Sequence, residues 1–567
     1  MKIKLIPLFF AVMCLMACGS DNEEPEIPKE SVNEQPDDVE ESVEPTDETP
    51  PTITSTDLES VIETFTDIAI QVEDESNVET KIYVNGEEVY STSETEFDFQ
   101  FNPYIFPIGA TELKILSEDE FGNSKEVDFQ LDIEHFLMDF NLGTEEDDQY
   151  SFIWIFFHDG SGNLLTTQKV QLGSTKIYTE QIVPDNYIFY TISKFSSFGL
   201  DNQHKSLRNT TYKIDMGETR NELDFSPNYN MENYVEVEIN LSQDTGGYAK
   251  YSASGSQYET NASGGGSLTE LVGINYEIPD FIYLRTDVLG GQPELFDGKK
   301  ENYAYYRFVP NPSTPSITID ETDLITADET FVLEIPNHNA GSFVFNRIGF
   351  LNQNDMVANV NHHILEVQEP NDQYRDYLDL PVLDGLALYN NTVNYAVEDK
   401  SFFGNFYGND FNIEMPNWEL YYGIENSEVF IEENNELDYY VVRFTDNDTS
   451  DLNNRRYWIW DYRVFGTEDG ELKRAPILQM PSEVINDIND AHFTNLDGLT
   501  ITSASALDFE EFTSFDETID WLGLNKVPLT IDQKNYKQVS FTSPTASGKS
   551  TGQTSKIECQ NVNGKQF

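Results

Sequence analysis

The 567-residue chain is short of positive charge, of cysteine, of long apolar runs and of helical periodicity. Its 33 Lys and Arg face 102 Asp and Glu, giving a formal net charge of −69 and a pI near 4.1. So few cations exclude a general nucleic-acid binder, which must neutralise a phosphate backbone over a wide footprint. No apolar run reaches the roughly 18 residues of a membrane span, which excludes a polytopic helical membrane protein. The best helical pattern is short, Ser514 to Leu522, with Ser514 as N-cap and Glu517 completing a capping box. Aromatics, in contrast, make up 13% of the chain, too many for a disordered acidic protein.

The three cysteines are Cys14, Cys18 and Cys559. The N-terminus carries Lys2 and Lys4, then an apolar run from Leu5 to Ala17, then Cys18, the pattern of a secretory signal peptide over residues 1–17. Leu15-Met16-Ala17-Cys18 resembles the bacterial lipobox, with Met16 an unusual residue at its place. The resemblance implies that the Cys18 thiol carries diacylglycerol and the new amino terminus an acyl chain. Several chains on one residue anchor stably where one would be marginal. Cys14 then leaves with the signal, and Cys559 has no partner for an intramolecular disulfide. Residues 19–51 hold thirteen acids, one Lys, six Pro and no aromatic. With Cys18 they read as an extended tether over 18–51. The acids directly after Cys18 resemble the export signal of Bacteroidota surface lipoproteins, which implies display on the outer face of the outer membrane; because many tethers are acidic, the periplasmic face is the alternative.

Residues 52–133 alternate with a period of two. Lys81 to Tyr90 reads as a hairpin around Asn85-Gly86, the pair suited to a type I′ turn. Five or more short strands without helix indicate a β-sandwich. The hairpin, the Gly109 turn and the "SEDEFGNSKEV" segment resemble bacterial Ig-like domains, which serve as spacers or adhesive modules. Beyond 134 the chain stays β. Phe152 to Phe157 is apolar on both faces and should be a covered central strand. The expected class is all-β, with several sandwiches in series: 134–228, 229–325, a β-rich 326–430, a β-rich 431–541 with one helix, and a polar tail over 542–567. Pro184-Asp185, Pro279-Asp280 and Pro416-Asn417 each precede an aromatic strand, as an irregular repeat or convergent turn chemistry. Residues 242–268, rich in Gly, Ser and Thr, read as a long mobile loop or an exposed hairpin.

Chemistry is sparse. The seven His include no HExxH pair, and His362-His363 would point to opposite faces of a strand. Gly548-Lys549-Ser550 mimics the end of a P-loop, but Ser543 stands where the motif needs Gly. Calcium is the one cofactor the acidic loops would admit: at Asp446, Asp448 and Asp451, at Asp159, Ser161 and Asn163, or at Asp74, Asp119 and Asn123. Bland backbone-capping turns compete with each. Trp458, Trp460 and Tyr462 share one face of a strand at ~6.8 Å spacing, as a sugar-stacking platform or as core. The expected function is non-catalytic binding of an extracellular glycan or another ligand by a lipid-anchored surface protein. A β-sandwich polysaccharide-degrading enzyme and a structural adhesin are the alternatives.

Overall fold

The computed structural model describes residues 47–142, 152–198, 203–222, 234–241, 249–254, 259–264, 268–273, 282–287, 303–308, 316–319, 327–339, 342–353, 363–368, 377–398, 400–433, 437, 439–466, 473–494, 499–509 and 535–542. Cys18, the signal segment, most of the acidic segment, the helix expected at Ser514 to Leu522 and the tail after 542 lie outside them. The architecture is all-β. The one α-helix among the described residues is Ser482–Ile488, which the sequence did not announce.

The first module forms as its alternation dictates. Thr66–Glu73 buries every second residue, and Ile68, Ile70 and Val72 join Ile82, Val84, Leu113 and Ile115 in one core. A three-stranded sheet holding Thr66–Glu73 faces a five-stranded one centred on Gly109–Asp119. Asn85 and Gly86 both take positive φ, 51° and 82°, and join Val78–Val84 to Glu87–Thr92 as expected. The described structure starts within the segment expected as tether: Pro51 is buried, and Asn123 Nδ2 donates to the Asp47 carbonyl at 3.0 Å.

This module is seated firmly on the strands beyond residue 134. Tyr104 is fully buried and donates its hydroxyl to the Phe136 carbonyl. His135 bridges the joint, with Nδ1 2.7 Å from the Gln181 carbonyl and Nε2 3.1 and 3.0 Å from those of Pro103 and Phe106. Gly217 has φ +86°, and a Cβ there would lie 2.9 Å from Thr64, so backbone must approach the first module closely.

The described residues of 229–325 form two further sheets, of three and four strands. Of the two alternatives for 242–268, the hairpin is the one formed: Ala249–Ser254 pairs antiparallel with Glu259–Gly264.

One twelve-stranded sheet dominates the rest. Its order is Leu164–Lys169, Phe152–His158, Tyr187–Phe198, His204–Asp215, Arg456–Phe465, Tyr439–Asp448, Thr500–Phe509, Tyr536–Thr542, Lys400–Tyr407, Leu388–Val397, Val344–Phe350, His363–Gln368. Neighbours are antiparallel except His204–Asp215 and Arg456–Phe465, which run parallel. Strands from the expected 134–228 sandwich and from the β-rich stretches expected at 326–430 and 431–541 hydrogen-bond within this one sheet. One sheet face packs on the helix, on the sheet of Leu420–Glu425, Glu428–Glu433 and Arg474–Pro476, and on the pair Glu329–Glu334 and Tyr377–Val382. Part of the other face is covered by Gly173–Thr179 and His135–Leu142.

His158 ends the strand Phe152–His158 with no exposed surface and donates from Nε2 to the Gln479 carbonyl at 3.0 Å. Burial pushes its pKa down to about 4. The folded ring is neutral while the unfolded one titrates near 6.5. Its stabilisation is therefore complete above pH 6.5 and is lost as pH falls towards 4, by roughly 3 kcal/mol. His158→Gln should flatten the acid limb of a denaturation-midpoint profile between pH 7 and 4.5. An unchanged slope would contradict the assignment.

Candidate functional site

The aromatic stripe proves to be core. Trp458, Trp460 and Tyr462 are 0%, 2% and 2% exposed, so they form no solvent-facing platform. Trp460 Nε1 donates to Thr211 Oγ1 at 2.8 Å, and Tyr462 Oη accepts from the Leu478 amide at 2.9 Å. Trp458 meets Phe493 edge-on at 5.9 Å. Beside them Ser193 Oγ, both amide atoms of Asn209 and Trp458 Nε1 are buried without a hydrogen-bond partner among the described residues, the kind of group that ordered water commonly satisfies.

Asp446, Asp448 and Asp451 are not brought together as a metal site. Asp448 Oδ1 accepts from the Ser450 amide at 3.0 Å and hydroxyl at 2.6 Å. Asp451 Oδ1 accepts from the Asn453 amide, and His492 Nε2 donates to the Asp446 carbonyl. Asp159 likewise closes its own hairpin, accepting from Ser161 N and Asn163 N and Nδ2.

Among the described residues, the group of three acids with ligand atoms within 4.8 Å of one another is Asp47, Asp74 and Asp119. Two of these were expected at one end of the first module; Asp47 arrives from the segment read as tether. Both Asp119 oxygens accept from Asn123, and Oδ1 also accepts from Phe121 N. Burial pushes its carboxyl up, but these hydrogen bonds win and hold it below the ordinary range. Calcium asks for six to eight oxygens. Three carboxylates already engaged in turn bonds fit that demand only in part.

The open part of the twelve-stranded sheet offers a different surface. On the face opposite the tryptophans, beyond the covering sheet, lie Asn346, Asn390, Thr392, Asn405, Ser505 and Ser540, each partly exposed. The register aligns them: Asn346 with Thr392, Thr392 with Asn405, Ser505 with Ser540. Asn346 Nδ2 donates to Thr392 Oγ1 at 3.5 Å, Asn390 Nδ2 to Asn405 Oδ1 at 3.2 Å, and Gln538 Nε2 to Ser540 Oγ at 3.0 Å. Phe403 stands among them, 5.7 Å from the Tyr536 ring.

The same face continues onto Tyr439–Asp448 and Arg456–Phe465, where it meets Asp461. This carboxylate has no exposed surface. Arg443 clamps it from two nitrogens, Nε to Oδ1 at 2.6 Å and Nη2 to Oδ2 at 2.9 Å. Arg208 Nη2 stands 3.6 Å from Oδ2. Burial pushes the Asp461 carboxyl up. The Arg443 bonds and charge, with Arg463 and Arg208 behind them, outweigh this and hold it below the usual range. Sequence reasoning missed Arg208, Arg443 and the amide ladder. The available signal was a charge inside an apolar strand, as in Val441-Val442-Arg443-Phe444 and Trp460-Asp461-Tyr462.

No family model matches the chain, and no curated protein matches it. Among solved structures, the chain is similar to the fibronectin(III)-like modules of Clostridium thermocellum CbhA, at 12% identity over 30% of this chain and 94% of that one, TM-score 0.14. It is also similar to a Bacteroides ovatus protein, SGBP-B of the mixed-linkage glucan utilization locus, solved with a mixed-linkage heptasaccharide. There the identity is 11% over 60% and 93% of the two chains, TM-score 0.14. The Sidekick-1 immunoglobulin domains 1–4 give 10% over 65% and 100%, TM-score 0.13. Likeness at these scores carries no argument about function. No described helix is long and apolar enough to cross a membrane.

Proposed function

We propose that this is a lipid-anchored surface protein that binds an extracellular glycan without cleaving it. The observation that supports the reading is the open sheet face, a ladder of neutral amides and hydroxyls with Phe403 among them. Sugar hydroxyls pair with such donors and acceptors, and an aromatic ring adds an apolar contact. Along the strands Val344–Phe350, Leu388–Val397, Lys400–Tyr407, Thr500–Phe509 and Tyr536–Thr542, the described residues on this face include no Asp or Glu. Glycoside hydrolysis uses a carboxylate pair. Where the face continues onto Arg456–Phe465, Asp461 is buried beneath Arg443. The first module, seated on the body through Tyr104 and His135, suits the role of a stiff spacer above a tether.

A glycan array probed with the full chain, with and without EDTA, followed by activity assays on each hit, tests the reading. Retention of at least one glycan without turnover is expected; binding to none, or turnover of a hit, would overturn it. The EDTA arm reports on Asp47, Asp74 and Asp119. For the anchor, Cys18→Ala should leave an unlipidated precursor or a soluble protein in detergent partitioning. A mutant that follows membranes as fully as wild type would remove the lipoprotein assignment.

A further inference from the structure

We propose that Arg208 and Arg443 form an anion subsite at one end of the open sheet face, so that the glycan it takes carries carboxylate or sulfate groups. The inference rests on the glycan-binding reading above and adds the chemical class. Its basis is a local reversal of charge. The chain has three acids for each cation, yet here three arginines, Arg208, Arg443 and Arg463, converge on one carboxylate.

The carboxylate does not exhaust them. Asp461 is wholly enclosed, whereas the Arg208 and Arg443 side chains are 39% and 31% exposed. At 3.6 Å the Arg208 contact is longer than a hydrogen bond, and among the described residues Arg208 makes no other. Its planar fork of N–H donors therefore remains available to a second anion. That fork matches the paired oxygens of a carboxylate or sulfate. Arg443, held rigid by its two bonds to Asp461, supplies fixed charge beside it.

The register makes the subsite continuous with the ladder. Arg443 pairs with Asp461 on one side and with Ser503 on the other. Ser505, one step along the same face, pairs with Ser540. From His204–Asp215 to Leu388–Val397 is six strand steps, about 29 Å at roughly 4.8 Å each, the reach of an extended chain rather than a single sugar. At physiological ionic strength charges beyond about 8 Å are largely screened. The acid-free face then decides attraction more than the charge of the whole molecule.

The test uses the full chain in detergent with three probes: polygalacturonate for carboxylate, dextran sulfate for sulfate, and unmodified dextran as the neutral control. Wild type should bind at least one polyanion, more weakly as salt rises. Arg208→Gln should weaken that binding about tenfold or more, the scale of a lost charged hydrogen bond. Thr392→Glu, which places an acid on the ladder far from the arginines, should also weaken it severalfold. Thermal melts verify that both variants fold. Unchanged polyanion affinity in Arg208→Gln would overturn the subsite. Binding of neutral glycans alone would overturn it too while leaving the broader function standing. Failure to bind any glycan would remove both.

Discussion

Trp460→Ala is expected to cost about 3–5 kcal/mol of folding free energy, the range for emptying a large aromatic site. The ring is 2% exposed and meets Phe156 edge-on at 6.4 Å and Tyr462 at 5.8 Å. Its indole N–H donates to Thr211, whose hydroxyl also bonds Thr191 at 2.7 Å, so truncation removes a buried hydrogen bond as well as opening a cavity. The strand on which it sits joins the two parts of the twelve-stranded sheet through the parallel pairing with His204–Asp215. A chemical denaturation midpoint measures the loss. A drop of less than about 1 kcal/mol would mean that the ring contributes little to this core.

Arg443→Leu should be as damaging for a different reason. Removing one partner of a buried ion pair typically costs about 3–5 kcal/mol, because the remaining charge stays desolvated. Asp461 cannot turn to solvent, and Arg208 at 3.6 Å does not replace two bonds of 2.6 and 2.9 Å. Asp461→Asn placed in the same background should restore most of the loss at neutral pH. In wild type the depressed Asp461 pKa stabilises the fold above its unfolded value. That contribution fades as pH falls through the folded value. In the single variant the carboxyl is easier to protonate, so the gap to wild type should narrow in acid. Equal stability of Arg443→Leu and wild type at pH 7 would show that the pair contributes no net stabilisation.

Local chemistry was legible wherever neighbours in sequence decide the outcome. The Asn85-Gly86 turn and the capping of Asp159 follow from turn geometry, and the strand Phe152–His158 from a short run apolar on both faces. The aromatic stripe shows where such reading stops. Trp458, Trp460 and Tyr462 share a face in either interpretation, and alternation says that faces differ, not which one is covered. The same ambiguity hid the open face with its amide ladder. Asn390 and Thr392 look like ordinary solvent-facing polar side chains until Asn346 and Asn405 are set beside them by pairing.

By itself the sequence determined the all-β class, the strand-rich first module and the scarcity of positive charge, because composition and a two-residue period act over a few residues. It also carries the signal-like N-terminus on which the anchor proposal stands. Only the tertiary structure decided that three stretches of chain build one sheet, and that Arg208, Arg443 and Asp461 meet. The bond between Trp460 and Thr211 spans 249 positions. Loop-closure entropy grows only slowly with such separations, so distance along the chain neither forbids nor announces a pairing. What selects the partner is the match of whole apolar faces, and that match exists only once both strands are in place.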